Sequence, residues 1–237
     1  MISSSDDNTI KVWKIRNDSL MLVGTLEGHE GSVCQVIPLM NDIIASASKD
    51  KTIRIWNVNE HEQKYVLQED FIVFSLLKLK NKGVFVSGGY GKEISFWEME
   101  TFTKENSVQC CDCCSLNGLI ELPKHYIAVS GGLAKSIDII DTDNYQLFKQ
   151  IKCDNFIFGN SGISVYYSSL CLLDNKSFIY SHNGYFCQVS STENEILFTD
   201  KMEDTFEGAN IIYSSNGKYI IGNNKQKGIS IYKVGFV

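Results

Sequence analysis

A short phrase returns along this chain at almost constant spacing, and few folds tolerate such a repeat. Its copies are Met1–Trp13, Ile44–Trp56, Val84–Trp97 and Ala128–Ile140, so the closing residues stand at 13, 56, 97 and 140, separated by 43, 41 and 43 positions. A serine lies ten residues before each closing residue (Ser3, Ser46, Ser87, Ser130) and an isoleucine three before (Ile10, Ile53, Ile94, Ile137). A period near forty residues means repeated supersecondary units, each too small to bury its apolar face without a neighbour. That excludes a single large core and argues against most enzyme architectures.

The best-preserved unit, Met21 to Val58, shows what one repeat contains. Met21–Leu26 alternates weakly and stops at the two-glycine turn Gly28-His29-Glu30-Gly31. Val33–Ile37 is a short apolar run that Pro38 and the Asn41-Asp42 turn are expected to end. Ile43–Ser48 is rich in small residues, suited to a crowded interior. Lys49-Asp50-Lys51 then turns the chain into Thr52–Trp56, where Ile53 and Ile55 share one face. The unit reads as four short antiparallel strands, and no window of the chain shows sustained helical periodicity. Weaker copies continue to the C-terminal region, closing at Val189 and Tyr232. The gap of 49 between Ile140 and Val189 places extra residues around Asp154–Gly162.

Composition narrows the functional classes. The 237 residues carry 22 basic and 28 acidic side chains, a net charge of -6, with the signs interspersed. No basic run could track a phosphate backbone, which argues against nucleic acid as a partner. The chain begins inside a repeat, unlike a secretory signal, and no apolar stretch is long enough for a spanning helix, so no membrane insertion is expected. Eight cysteines without a secretory signal suggest free thiols in a reducing compartment, hence the cytoplasm.

Gly28-His29, followed by Ser46, Ser48, Asp50 and Trp56, resembles the tryptophan–aspartate (WD) repeat family. The likeness is strong over residues 1–59, clear to about 141, and carried to 237 by spacing and strand pattern. It implies an all-β protein: a β-propeller of four-stranded antiparallel blades. Five full repeats plus a partial N-terminal one are counted, part of a six- or seven-bladed ring. The whole of 1–237 is then one propeller domain, expected to be incomplete at its N-terminus, with open strand edges that invite a partner strand or self-association.

The resemblance also implies a buried hydrogen-bonded network of His29, Ser46 or Ser48, Asp50 and Trp56. On paper these residues look like a hydrolase triad, but the repeat gives each a packing role, so no catalytic residue is expected. Departures are visible. Lys14, Asn57 and Glu98 follow the three tryptophans where the family has aspartate, and Gly91 and Ala134 stand at the turn-aspartate position of the third and fourth copies. Those copies lack Gly-His too, so their blades are expected to rely on apolar packing.

Other clusters have plainer readings. Cys110-Cys111-Asp112-Cys113-Cys114 contains two C-x-x-C spacings, but zinc usually takes two separated ligand pairs and no second pair is evident. Small buried cysteines are the simpler account; a metal- or redox-responsive cluster is the alternative. No cofactor or metal is assigned. Phe156 and Phe158, among Gly159, Asn160 and Gly162, form either a packed plug or an exposed aromatic anchor.

The functional expectation is a non-catalytic scaffold that binds other proteins or peptides. The resemblance implies that the turns carrying His29 and Asp50 share one face, so its candidate residues are Asp6, Glu30, Lys49, Asp70, Tyr90, Lys135, Phe156 and Phe158. A substrate-recognition subunit of a ubiquitin ligase, or a member of a signalling or vesicle-coat complex, is the alternative. The fold names no partner.

Overall fold

The computed structural model describes residues 1–110, 115–131, 136–152, 168–172, 177–182, 185–190, 196–201, 212–213, 219–224 and 228–233. Every element among them is a strand, and the strands form antiparallel sheets of the propeller-blade kind. They fall into two compact units, Met1–Val108 and Gln109–Val237.

The first unit holds three sheets. β1 (Ile2–Ser4), β2 (Ile10–Arg16) and β3 (Ser19–Leu26) pair in that order. β4 (Val33–Met40), β5 (Ile43–Ser48), β6 (Thr52–Asn57) and β7 (Glu62–Gln68) make the second sheet. β8 (Val73–Lys78), β9 (Val84–Gly89), β10 (Glu93–Glu98) and β11 (Lys104–Gln109) make the third. The sequence repeat and the sheet are one strand out of phase. β3 opens the repeat Met21–Val58 yet hydrogen-bonds to β2 of the sheet before it. β4 also runs through Pro38, which stands opposite Ile44, and bulges between Pro38 and Met40, so the expected stop at Pro38 is corrected. A first strand at a sheet edge has no ladder bond to lose at that N–H, and a bulge absorbs the ring.

Packing between sheets supplies the core. Ile10 and Leu26 of the first sheet close against Val33, Ile44 and Trp56 of the second. Ile53, Ile55 and Leu67 on the opposite side of the second meet Val73, Leu76, Phe85 and Trp97 of the third. Trp56 and Trp97 therefore each face the sheet before their own, which is why a lone repeat could not bury its indole. Close approach demands glycine at Gly89, where a Cβ would lie 1.8 Å from the Ile72 carbonyl oxygen. That same oxygen accepts the Tyr90 N–H at 2.7 Å, fastening the entry to β8 against the β9–β10 turn.

The second unit repeats the plan. β12 (Leu116–Glu121), β13 (Tyr126–Gly131), β14 (Ser136–Asp141) and β15 (Gln146–Lys152) form one sheet. β16 (Ser168–Leu172), β17 (Ser177–His182), β18 (Tyr185–Ser190) and β19 (Ile196–Lys201) form the next. β20 (Ile212–Tyr213), β21 (Tyr219–Asn224) and β22 (Gly228–Lys233) form a third, of three strands. Ile137, Ile139 and Ile151 pack against Leu170, Phe178, Cys187 and Val189.

Candidate functional site

The tryptophan–serine spacing has a simple geometric origin. Ser3, Ser46 and Ser87 stand opposite Lys11, Arg54 and Ser95 across a hairpin, and the tryptophan is two residues farther along the second strand. That diagonal is within reach of a large side chain on the same face of the sheet. In all three sheets the indole N–H donates to the serine hydroxyl: Trp13 to Ser3 at 2.8 Å, Trp56 to Ser46 at 2.8 Å, Trp97 to Ser87 at 2.9 Å. The fourth sheet departs from this. Ser130 stands opposite Ile137, one residue off the earlier register, and Ile140 takes the tryptophan position. Without an indole to seat on the serine, that register loses one of its pins.

Around Ser46 the network is complete. Its hydroxyl lies 2.7 Å from His29 Nε2, while His29 Nδ1 lies 2.7 Å from Asp50 Oδ2. The Asp50 carboxylate can only accept, so a neutral His29 carries its hydrogen on Nδ1 and donates it to Asp50, which leaves Nε2 to accept the Ser46 hydroxyl. Burial favours that neutral form and holds the imidazole below its ordinary value. Burial pushes the Asp50 carboxyl up, but donors from the Thr52 side chain, His29 and the Glu30 and Thr52 backbones outweigh it and hold the pKa at about 2. Ser48 does a different job: its hydroxyl donates to the Gly31 carbonyl at 2.9 Å and accepts the Asp50 N–H at 3.1 Å. Gly31 is required there, since a Cβ would sit 2.8 Å from the Asp50 backbone nitrogen.

Two further members join the networks, neither of them expected from the repeat. Thr52 donates its hydroxyl to Asp50 Oδ1 at 2.7 Å and its backbone N–H at 2.9 Å. The same turn occurs at Asp7-Asn8-Thr9, with Thr9 on Asp7 at 2.6 and 3.0 Å. Asn8 and Lys51, the middle residues, both have φ near 70° (69° and 68°). An aspartate and a threonine two apart in both copies is the sequence signal for this turn. Glu69 is the second member. Its carboxylate is fully buried, accepts the Ser87 hydroxyl at 2.7 Å, and pairs through its other oxygen with Lys104 at 2.7 Å. Lys104 also lies 5.1 Å from the centre of the Trp97 ring. The expectation that the third blade relies on apolar packing is therefore corrected, since it also holds a polar network: a glutamate eighteen residues before Ser87 fills the place that His29 holds seventeen before Ser46. A buried anion needs a cation, and Lys104 supplies it.

The residues expected on the recognition face occupy two kinds of connection. Asp6, Lys49 and Tyr90 lie in the hairpin turns β1–β2, β5–β6 and β9–β10, and Glu30 and Asp70 lie in the links β3–β4 and β7–β8; all five are exposed. Backbone bonds from Val33 to Ser5, Lys49 to Ser32 and Tyr90 to Ile72 bring these turns and links to one end of their sheets. Lys49 also reaches Asp6 at 3.9 Å. Lys135, Phe156, Phe158 and Cys111–Cys114 lie outside the described residues. Cys110 is buried, and Cys34, half-buried, has its thiol pushed up by burial, which makes both poor nucleophiles.

Comparison with known proteins agrees with this geometry. The profile described as "WD domain, G-beta repeat" matches residues 20–57. "Protein transport protein SEC13" of Yarrowia lipolytica is 48% identical over 59 residues, 24% of this chain and 20% of that protein. "Elongator complex protein 2" of Mus musculus is 33% identical over 75 residues, covering 28% and 9%. "Periodic tryptophan protein 2" of Saccharomyces cerevisiae is 32% identical over 111 residues, covering 45% and 12%. The chain thus spans a fifth or less of the length of these relatives. Residues 20–57 thus match a WD repeat, and the chain is similar to WD-repeat proteins.

Proposed function

We propose that the chain is a non-catalytic interaction scaffold that presents a peptide- or protein-binding face for the assembly of a multiprotein complex in the cytoplasm. One observation carries the non-catalytic half. Ser46 Oγ, the hydroxyl that faces the imidazole from the side opposite Asp50, is 0% exposed and already bonded to Trp56 and His29. A serine so enclosed meets no substrate, whereas catalysis needs an open position next to the nucleophile. The face is assigned to Asp6, Glu30, Lys49, Asp70 and Tyr90, with Lys135, Phe156 and Phe158 from later turns. Mixed charge around aromatic anchors suits protein recognition better than phosphate binding.

Support comes from the relatives' names: one names a complex and another names protein transport. The second supports membership of a protein-transport assembly as a narrower reading. The test is a pull-down from a reducing cytosolic extract, comparing wild type with a Lys49→Glu, Tyr90→Ala variant whose folding is checked by tryptophan fluorescence. Loss of specific partners from the variant is expected. If every retained protein is the same for both, the face lies elsewhere.

A further inference from the structure

The outer strands of the sheets are built alike, and one of them lacks the protection that the others carry. β3, β7, β11 and β15 each stand at the end of their sheet, so one side of the backbone has no ladder partner among the described residues. β3, β7 and β15 also share a bulge where they meet the tryptophan, or Ile140 in its place. An unpaired edge is a template for another strand, and charged side chains, lysine above all, are the usual guard against it. β7 carries Glu62 and Lys64, β11 carries Lys104 and Glu105, and β15 carries Lys149 and Lys152. β3 reads Ser-Leu-Met-Leu-Val-Gly-Thr-Leu and has no charge at all. Opposite the tryptophan, β7 places Gln63 where β3 places Leu22. Leu20, Met21, Leu22 and Val23 are consecutive and 46–52% exposed, and Ile15, opposite Leu20 on β2, is 65% exposed.

We propose that β3 is a self-association edge: two copies of this chain pair their β3 strands antiparallel about a two-fold axis, so that two sheets become one. The strand is compatible with itself, because such a pairing sets no like charges opposite one another along Ser19–Leu26. Its ends are complementary. Exposed Lys14, Arg16 and Asp18 leave the β2–β3 turn end with one net positive charge, and exposed Glu27 puts a negative charge at the far end. Antiparallel pairing brings the turn end of each copy beside the far end of the other. Leu20 and Leu22 stand opposite Ile15 and Trp13 on one face of the sheet, and Met21 stands opposite Lys14 on the other. Pairing therefore extends an apolar strip that the sheet already carries. Ile15 and the four β3 residues offer on the order of 500 Å² of apolar surface, the size of patch that marks an interaction site. Two copies then bury about 1,000 Å², the lower bound of a specific interface, so the pair is weak and forms at micromolar concentrations or above. Among the described outer strands β3 alone lacks charge, and the contact is isologous, so growth stops at two. None of these residues belongs to the recognition face, so dimerisation and recognition can be tested apart.

The purified chain in reducing buffer is examined by sedimentation velocity from low micromolar to several hundred micromolar, with hydrogen–deuterium exchange at both ends of that range. Leu20→Lys combined with Leu22→Lys disrupts the edge. Val66→Lys on β7, also about half exposed, is the control, and tryptophan fluorescence verifies that both variants fold. Expected is a monomer–dimer equilibrium in wild type and control, weakened about tenfold or more in the double variant. Amide exchange over 19–26 should slow as the wild-type concentration rises, because strand pairing protects backbone N–H groups. A wild type that stays monomeric at the highest concentration overturns the proposal and leaves the strip to a strand of another protein. Undiminished dimers in the double variant, growth beyond the dimer, or protection confined to other residues overturns it as well. The exchange measurement needs no variant, so it decides the question even if the double variant misfolds.

Discussion

Ser46→Ala removes one oxygen and strands two buried partners. In the wild type that oxygen accepts the Trp56 indole at 2.8 Å and engages His29 Nε2 at 2.7 Å; both side chains sit in the core, Trp56 at 1% exposure. A lost hydrogen bond costs about 0.5–1.5 kcal/mol net, and a buried group left without a partner costs about 1–3. Two such groups, partly relieved by small shifts, give an expected loss of about 3 kcal/mol. The assay is urea unfolding followed by intrinsic fluorescence. Trp13, Trp56 and Trp97 are the chain's three tryptophans and all lie in the first unit, so their signal reports that unit. With an m value of about 2 kcal/mol/M, the midpoint should fall by about 1.5 M at unchanged slope. A double-mutant cycle with Trp56→Phe isolates the shared bond: once the indole N–H is gone, Ser46→Ala should cost at least about 1 kcal/mol less. A loss below about 1 kcal/mol for Ser46→Ala, or strict additivity in the cycle, would refute the claim that this hydroxyl organises the repeat.

Two further outcomes test the flanking chemistry. Among the described residues, Lys104→Ala leaves the buried Glu69 carboxylate with Ser87 as its one side-chain partner, and because Lys104 is 35% exposed the expected cost is about 2 kcal/mol, below that of a fully buried pair. Combining Lys104→Ala with Glu69→Gln should recover part of it in the same urea assay, and no recovery would show that the pair is incidental. Acid should weaken the first unit in two steps of the same sign. His29 is held below its ordinary value of 6.5, so the unfolded chain takes up that proton first and stability falls as pH drops through this region. Asp50 titrates at about 2 when folded against 3.8 unfolded, so about 2 kcal/mol present above pH 4 is lost as pH falls towards 2. The stability gap between wild type and Asp50→Asn should therefore narrow over that range, and a constant gap would contradict it.

How much of the fold and the site is legible in the sequence follows from contact distance along the chain. Trp56 and Ser46 lie on paired strands of one hairpin, so a fixed spacing in sequence becomes a fixed diagonal in space, and the motif can be read directly. His29 and Asp50 are 21 apart, but the glycine turn and the aspartate turn announce themselves by residue type. Thr52 is less conspicuous, although Asp7-Asn8-Thr9 repeats its pattern. Glu69 is hidden for a stronger reason: it replaces a histidine by a different functional group, and its counter-ion Lys104 arrives from 35 residues away on the outer strand of the same sheet.

The sequence by itself determined the element type, the strand count per repeat and the ten-residue tryptophan–serine spacing, because each depends on period and hairpin register within about fifty residues. Only the tertiary structure decided which strand closes which sheet, that Ser46 and not Ser48 takes the Trp56 indole, and that Glu69 and Lys104 rebuild the third network. Those depend on how separate turns are brought to one end of a sheet, where a charge's cost or benefit is set by neighbours that share no pattern in the chain. The repeated phrase fixes a scaffold, and the contacts between turns decide what that scaffold can hold.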